Sequence, residues 1–316
     1  MTDVASPPLT RRRRRRRARL AATVAVLLLI GIGWGAYRVY NAVFGKHAVV
    51  TSCRVVGVST GNVYSMDPDQ LLNASIIADV AMQRALPQRA VIVALATALQ
   101  ESKLRNLNYG DADSLGLFQQ RPSQGWGTAA QIMTPTYAAG KFYDALVKVP
   151  SWQTIPLTQA ADAVQRSAFP DAYRDWEPRA TALAGALTGT TNGQLSCRLA
   201  HPGTTSTIDA ASSAIAAELR TDLAVTSPAV AAVNAKVATV TVSGLGTTGA
   251  GDDSASRHRD ATVAAWAVAH SATHGITSVT IGSREWRADR DGWHDAKKPA
   301  PAGSVVMTVT STAANP

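Results

Sequence analysis

Beyond its first nineteen residues this 316-residue chain has almost no excess charge, and it has only two cysteines. Residues 1–19 hold eight arginines and one aspartate, a net of +7 that leaves +2 of the total +9 for everything downstream. The high isoelectric point therefore belongs to one end of the chain and not to a catalytic surface. Clustered arginine can bind phosphate, but these arginines abut a hydrophobic run, where they act as a topology signal, so nucleic acid is not an expected partner. No H-E-x-x-H string occurs and no metal-ligand cluster is evident, so neither a metal nor an organic cofactor is implied. No clean A-x-A site follows the hydrophobic run before Lys46, which argues against a cleaved signal peptide.

What is present begins with topology. Arg11 to Arg17 run without a break, with Arg19 beyond, and Leu20 to Ala36 is apolar apart from Thr23 and three glycines. A bilayer takes about 20 apolar residues to cross, and basic flanks stay in the cytoplasm. The expected arrangement is a cytoplasmic basic segment at 1–19 and a transmembrane anchor at 20–40. The chain would then be a single-pass protein of the cell membrane, extracytoplasmic from about residue 41 onward. Cys53 and Cys197 both fall on the outer side, where cysteines tend to pair. Two free buried thiols are the alternative.

The exterior is long enough for two modest domains. Polar, turn-rich stretches at Gly189–Gly193 and Ala200–Thr205 mark the break. Residues 46–66 read as a short irregular approach. The region 53–198 reads as mostly α, with helices after Asp67-Pro68, over Arg89–Lys103, after Thr134-Pro135, and at 157–168 and 171–187. The region 204–316 reads as a small α+β domain. It has helices at 207–223 and 256–273, a β-branched run at Val237–Val242, and strands at Thr277–Ile281, Glu285–Ala288 and Val305–Thr310. The fold class expected for the whole chain is α+β.

The chemistry concentrates in the first of these regions. Glu101-Ser102 ends a nearly all-apolar helical run, and Gly116-Leu117-Phe118-Gln119 begins fourteen residues after Ser102. Cleaving a glycosidic bond needs a proton for the departing oxygen, and apolar surroundings keep a carboxylic acid protonated for that task. Leu95, Ala98 and Leu99 precede Glu101 on one helix, so its neighbours within a turn are largely apolar.

This arrangement resembles the lysozyme-like lytic transglycosylases, whose signatures are an E-S pair at a helix end and a downstream G-L-M-Q. The resemblance covers about 120 residues. It implies cleavage of the β-1,4 bond between MurNAc and GlcNAc in peptidoglycan, with Glu101 as the general acid and base. It also implies that Ser102, Gly116 and Gln119 line the saccharide cleft. Gln165, Ser167 and Tyr173, in the string Val164-Gln165-Arg166-Ser167-Ala168-Phe169-Pro170-Asp171-Ala172-Tyr173, look like a variant of the family's third motif. The usual A-Y-N-A-G string is absent, which puts the subsite contacts in doubt more than the acid. Trp126, between Gly125 and Gly127, is a candidate for the cleft rim, alongside Tyr109, Tyr137, Tyr143 and Trp152.

A second carboxylate would favour hydrolysis, and Asp111 and Asp113 are the nearby candidates, although their Gly-Asp-Ala-Asp-Ser context is that of a turn. Three further signals have bland readings. Gly244–Gly249 matches G-x-G-x-x-G but reads as a flexible loop. His270 and His274 read as surface residues near a helix C-terminus. Trp286 and Trp293 are either a binding face or cross-strand packing. The expectation is a membrane-anchored lytic transglycosylase whose partners are glycan strands, the membrane and a further cell-envelope protein. A non-catalytic peptidoglycan-binding or scaffold protein is the alternative.

Overall fold

The computed structural model describes Trp34 and residues 51–166, 170–191, 194–244 and 253–313. The basic segment at 1–19 and, Trp34 aside, the transmembrane helix expected at 20–40 lie outside the described residues. Among the described residues no helix is long and apolar enough to cross a membrane. Val50–Pro316 forms one compact unit.

The expectation of a mostly α region at 53–198 is corrected by a three-stranded antiparallel sheet. β1 (Ser52–Val56) pairs with β2 (Val63–Met66) on one side and β3 (Leu195–Arg198) on the other. The stretch expected to be an irregular approach is thus mostly a hairpin. Strands of four or five residues carry too few alternations to show a period: on β1 only Cys53 and Val55 are buried. Cys53 lies opposite Cys197 in the β1–β3 register, and a disulfide joins them.

Around this sheet lie α1 (Pro68–Gln83), α2 (Gln88–Ser102), α3 (Ala129–Ile132), α4 (Pro135–Leu146), α5 (Leu157–Gln165), a 3-10 helix at Pro170–Trp176, and α6 (Glu177–Leu187). α1 opens on a capping box in which the Asp67 N–H donates to Gln70 Oε1 at 2.8 Å. α2 is buried on nearly every side, from Ala90 to Leu99, which is why its sequence is apolar all round. It is the central helix of this half, and Glu101 is carried at its end.

The second half contains α7 (Ile208–Leu223), β4 (Ala229–Asn234), β5 (Val237–Ser243), α8 (Asp253–Ala269), α9 (Ser271–His274), β6 (Ile276–Ile281), β7 (Arg284–Arg287), β8 (Trp293–Asp295) and β9 (Ser304–Thr310). Its six strands form one antiparallel sheet in the order β4-β5-β9-β6-β7-β8. Every second residue faces inward: Ala238, Val240 and Val242 on β5, Val305, Met307 and Val309 on β9. α7 and α8 pack on this sheet and also against α1 and α6, so one apolar core runs through both halves.

Trp286 and Trp293 make that join. They face each other across β7 and β8. Trp286 Nε1 donates to Cys197 O at 2.9 Å and Trp293 Nε1 to Leu195 O at 2.8 Å. Leu199 N adds a bond to Ala288 O at 2.8 Å. The two indoles clamp the β7–β8 hairpin onto β3, and Trp286 is fully buried. The G-x-G-x-x-G stretch beyond Gly244 lies outside the described residues.

Candidate functional site

The end of α2 is fixed before the site begins. Lys103 and Leu104 both take positive φ, 57° and 62°, and Leu104 N returns to Ala98 O at 3.1 Å, which closes the helix directly after Ser102. From α1, Gln70 Nε2 donates to Lys103 O at 2.6 Å and Asn73 Nδ2 to Leu104 O at 2.9 Å. Leu104 itself is fully buried. The exit of the helix is therefore held from both sides.

Glu101 is half-buried, and its Oε1 accepts a hydrogen bond from Tyr173 Oη at 2.8 Å. Tyr173, on the 3-10 helix, is fully buried. Glu101 Oε2 carries no hydrogen bond from any described residue. Ser102 is buried, with Oγ 3.0 Å from Ala98 O and 2.8 Å from Leu117 O. Its one proton is shared between its own helix and the Gly116–Gln119 segment, which ties the acid-bearing turn to that segment.

Gly116–Gln119 is a tight turn closed by reciprocal bonds between Leu115 and Gln120 at 2.9 and 3.0 Å. Phe118 is buried and stacks on Phe142, ring centroids 4.7 Å apart. Gln165 Nε2 donates to Phe118 O at 2.8 Å. Gln119 has φ +48° and points Nε2 at the carbonyls of Tyr109 and Gly116, each 3.3 Å away. Gly116 has φ +75°, and a Cβ there would sit 2.8 Å from Ile132 O. Both constraints demand glycine. Gly116→Ala is expected to destabilise the protein by about 1–3 kcal/mol, read as a lower midpoint in thermal unfolding.

Glu101, Ser102, Gly116, Gln119, Gln165 and Tyr173 thus belong to one hydrogen-bonded assembly drawn from four stretches of chain. Ser167 lies outside the described residues. The assembly reassigns work among its members. Ser102, Gln165 and Tyr173 spend polar groups on protein partners and hold Glu101 and the Gly116–Gln119 turn in place. Tyr173→Phe removes the hydrogen bond to Glu101, and under the glycan-cleaving role proposed below kcat is expected to fall about tenfold to a hundredfold. Under the same proposed role KM should stay within about twofold, because the hydroxyl touches Glu101 itself; steady-state kinetics on a soluble glycan checks the split.

Trp126 is half-buried against the core, and no hydrogen bond among the described residues joins it to this assembly. Tyr143 and Trp152 are core residues. Tyr109 is 68% exposed and held through its carbonyl by Gln119. Trp176, not singled out in the sequence, lies at the end of α2. Its Nε1 donates to Gln100 Oε1 at 2.7 Å, and Lys103 Nζ lies 4.2 Å from its ring centre, so it covers both neighbours of the Glu101-Ser102 pair. The signal for it was its place three residues after Tyr173, on the same short helix.

The two loop acids are already engaged. Asp111 pairs with Arg121. Asp113 accepts from Ser123 N at 2.8 Å and Ser123 Oγ at 2.9 Å. The backbone N–H of Ser123 first, and then its hydroxyl, hold the Asp113 carboxyl below the usual carboxylate range. Both side chains shape the 109–123 loop. Cavities of about 460 and 530 Å³ exist elsewhere on the molecule, and Glu101 lines neither. No protein-family model matches this chain, and no curated protein matches it.

Proposed function

We propose that this protein is a peptidoglycan lytic transglycosylase in which Glu101 acts first as acid and then as base. The observation that carries the reading is the asymmetry of the carboxyl group: Oε1 is held by the buried Tyr173 hydroxyl, and Oε2 takes no hydrogen bond from any described residue. In the first step Oε2 gives its proton to the glycosidic oxygen, and the bond from that oxygen to C1 of the muramic acid breaks. The N-acetyl oxygen of the same sugar supports the positive charge that develops at C1. In the second step the Glu101 carboxylate takes the proton of the C6 hydroxyl as O6 bonds to C1, forming the 1,6-anhydro ring. The proton balance closes on Glu101 without a second carboxylate, and the engagement of Asp111 and Asp113 within their own loop supports that route.

The buried Gly116–Gln119 turn is tied to the Glu101-bearing helix end through Ser102, and Gln119 is its half-buried member. Tyr109 and Trp176 offer aromatic faces near the same helix end. The Cys53–Cys197 disulfide supports a site of action outside the cytoplasm, where the wall polymer is found. The test is incubation of the protein with purified peptidoglycan and mass spectrometry of the released fragments. Anhydro-muramyl ends are expected. Reducing ends would replace the proposal by hydrolysis, and a folded protein that releases nothing yet pellets with the wall would replace it by a binding role.

A further inference from the structure

Asp79 on α1, Asp222 on α7 and His270, between α8 and α9, come together where α1, α7 and α8 pack. Each offers one ligating atom, and the three atoms lie within 4.8 Å of one another. Asp79 is 4% exposed and His270 is 3% exposed, so this is an interior group.

The bonds around the three residues orient them as ligands. His270 Nδ1 lies 2.9 Å from Trp266 O. A carbonyl only accepts, so the ring proton is on Nδ1 and Nε2 presents a lone pair. Nε2 has no hydrogen bond from any described residue. Trp266 also donates, through Nε1, to Asp222 Oδ2 at 3.0 Å. Ser75 Oγ donates to Asp79 Oδ2 at 3.3 Å, and the other Asp79 oxygen has no hydrogen bond from any described residue. No lysine or arginine among the described residues pairs with Asp79 or Asp222, and the two carboxyl groups share no hydrogen bond. A histidine that hands one N–H to a carbonyl has its tautomer fixed, with the lone pair of the other nitrogen available to a metal.

We propose that Asp79, Asp222 and His270 bind one divalent first-row cation of the zinc class, with Trp266 holding two of the three ligands in place. An imidazole with two carboxylates suits zinc and its neighbours in the row better than calcium or magnesium. The charges also close, because a dication balances two carboxylates that otherwise oppose each other in the interior. Burial, and after it the charge of Asp222, push the Asp79 carboxyl well above its ordinary value. Burial lowers His270 to about 4, so the ring is neutral at pH 7 and its lone pair is available. Three protein ligands leave one tetrahedral position for water, and Asp222 also lines the cavity of about 460 Å³. Because the ligands come from α1 and from the α7–α9 region, the ion would link the two halves of the compact unit.

The test uses the full-length chain, stripped with EDTA and returned to Zn²⁺ or Co²⁺. One equivalent should bind by elemental analysis, and Co²⁺ should give visible absorption bands. At a hundredfold excess over Kd, Zn²⁺ should raise the unfolding midpoint by about 5–10 °C, reversed by EDTA. Asp79→Asn and His270→Gln should each lose the bound equivalent and the shift, whereas His294→Gln, on the exposed β8, should keep both. A folded wild-type chain that binds less than one equivalent, or whose midpoint ignores Zn²⁺, overturns the proposal. So does Asp79→Asn binding as tightly as wild type. Should a variant fail to fold, the stoichiometry and Co²⁺ spectrum of the wild type still decide.

Discussion

Glu101→Gln is expected to reduce the release of soluble fragments from purified peptidoglycan at least about a thousandfold, because in the proposed mechanism one group supplies both the acid and the base step. The fold should be untouched. Glutamine keeps the volume of glutamate, and its amide oxygen still accepts from Tyr173 Oη, now 2.8 Å from Glu101 Oε1. What is lost is only the transferable proton on the second oxygen. The variant should therefore pellet with peptidoglycan as the wild type does, which separates a chemical defect from a binding defect. Asp111→Asn and Asp113→Asn are the informative controls. Asp111 is bonded to Arg121 and Asp113 to Ser123, so each substitution should loosen the 109–123 loop and cost only a few-fold in rate. A loss from either as deep as that from Glu101→Gln would mean a two-carboxylate hydrolase, and the transglycosylase reading would fall. Full activity in Glu101→Gln would remove Glu101 from the chemistry altogether.

How far the sequence exposes this site depends on the distance over which each feature is encoded. The helix carrying Glu101 is legible over Arg89–Lys103 because its apolar run is continuous, and it is observed at Gln88–Ser102. Whereas the four-residue helix Ala129–Ile132 is too short to show a period, the helices expected after Asp67-Pro68, after Thr134-Pro135 and at 207–223 are similarly placed. Their period lies within one segment, and propensity and packing agree there. One helix expected at 171–187 instead begins as a 3-10 turn over Pro170–Trp176 before α6. That break aims Tyr173 at Glu101, a contact between residues 72 apart that no local pattern reveals. The β1–β3 sheet escapes for a different reason. Its strands are short, and what buries β3 is the β7–β8 hairpin, whose tryptophans reach back 89 and 98 residues. The histidines show the same effect. On α8 and α9 alone, His270 and His274 look like solvent-facing residues near a helix end. Yet His274 Nε2 meets Glu218 Oε2 at 2.7 Å, and His270 meets Asp79 and Asp222, because α1 and α7 cover them. Side chains whose role is set by distant elements are legible only as residue types.

Replacing Cys53 and Cys197 together by alanine is expected to lower the stability of the oxidised protein by about 2–5 kcal/mol. The bridge spans 144 residues of sequence, which puts the loop-entropy contribution near the top of that range. Both sulfurs are buried in the core, so lost packing in the folded state adds to the loss. The β1–β3 hydrogen bonds are made by backbone, and Trp286 donates to the Cys197 carbonyl, which alanine retains. With the backbone of the sheet kept, the site should stay intact: under the proposed function the double variant should still release fragments from peptidoglycan at the wild-type rate below its own unfolding midpoint. Chemical denaturation with and without reductant separates the two contributions. Reductant should lower wild type by the loop contribution and leave the variant unmoved, and the gap that remains between them is the packing contribution of the two sulfurs. Equal stability of oxidised wild type and the variant would instead mean that the Trp286 and Trp293 clamp alone holds the ends of this region together, with the unfolded chain already compact enough that closing the loop costs it nothing.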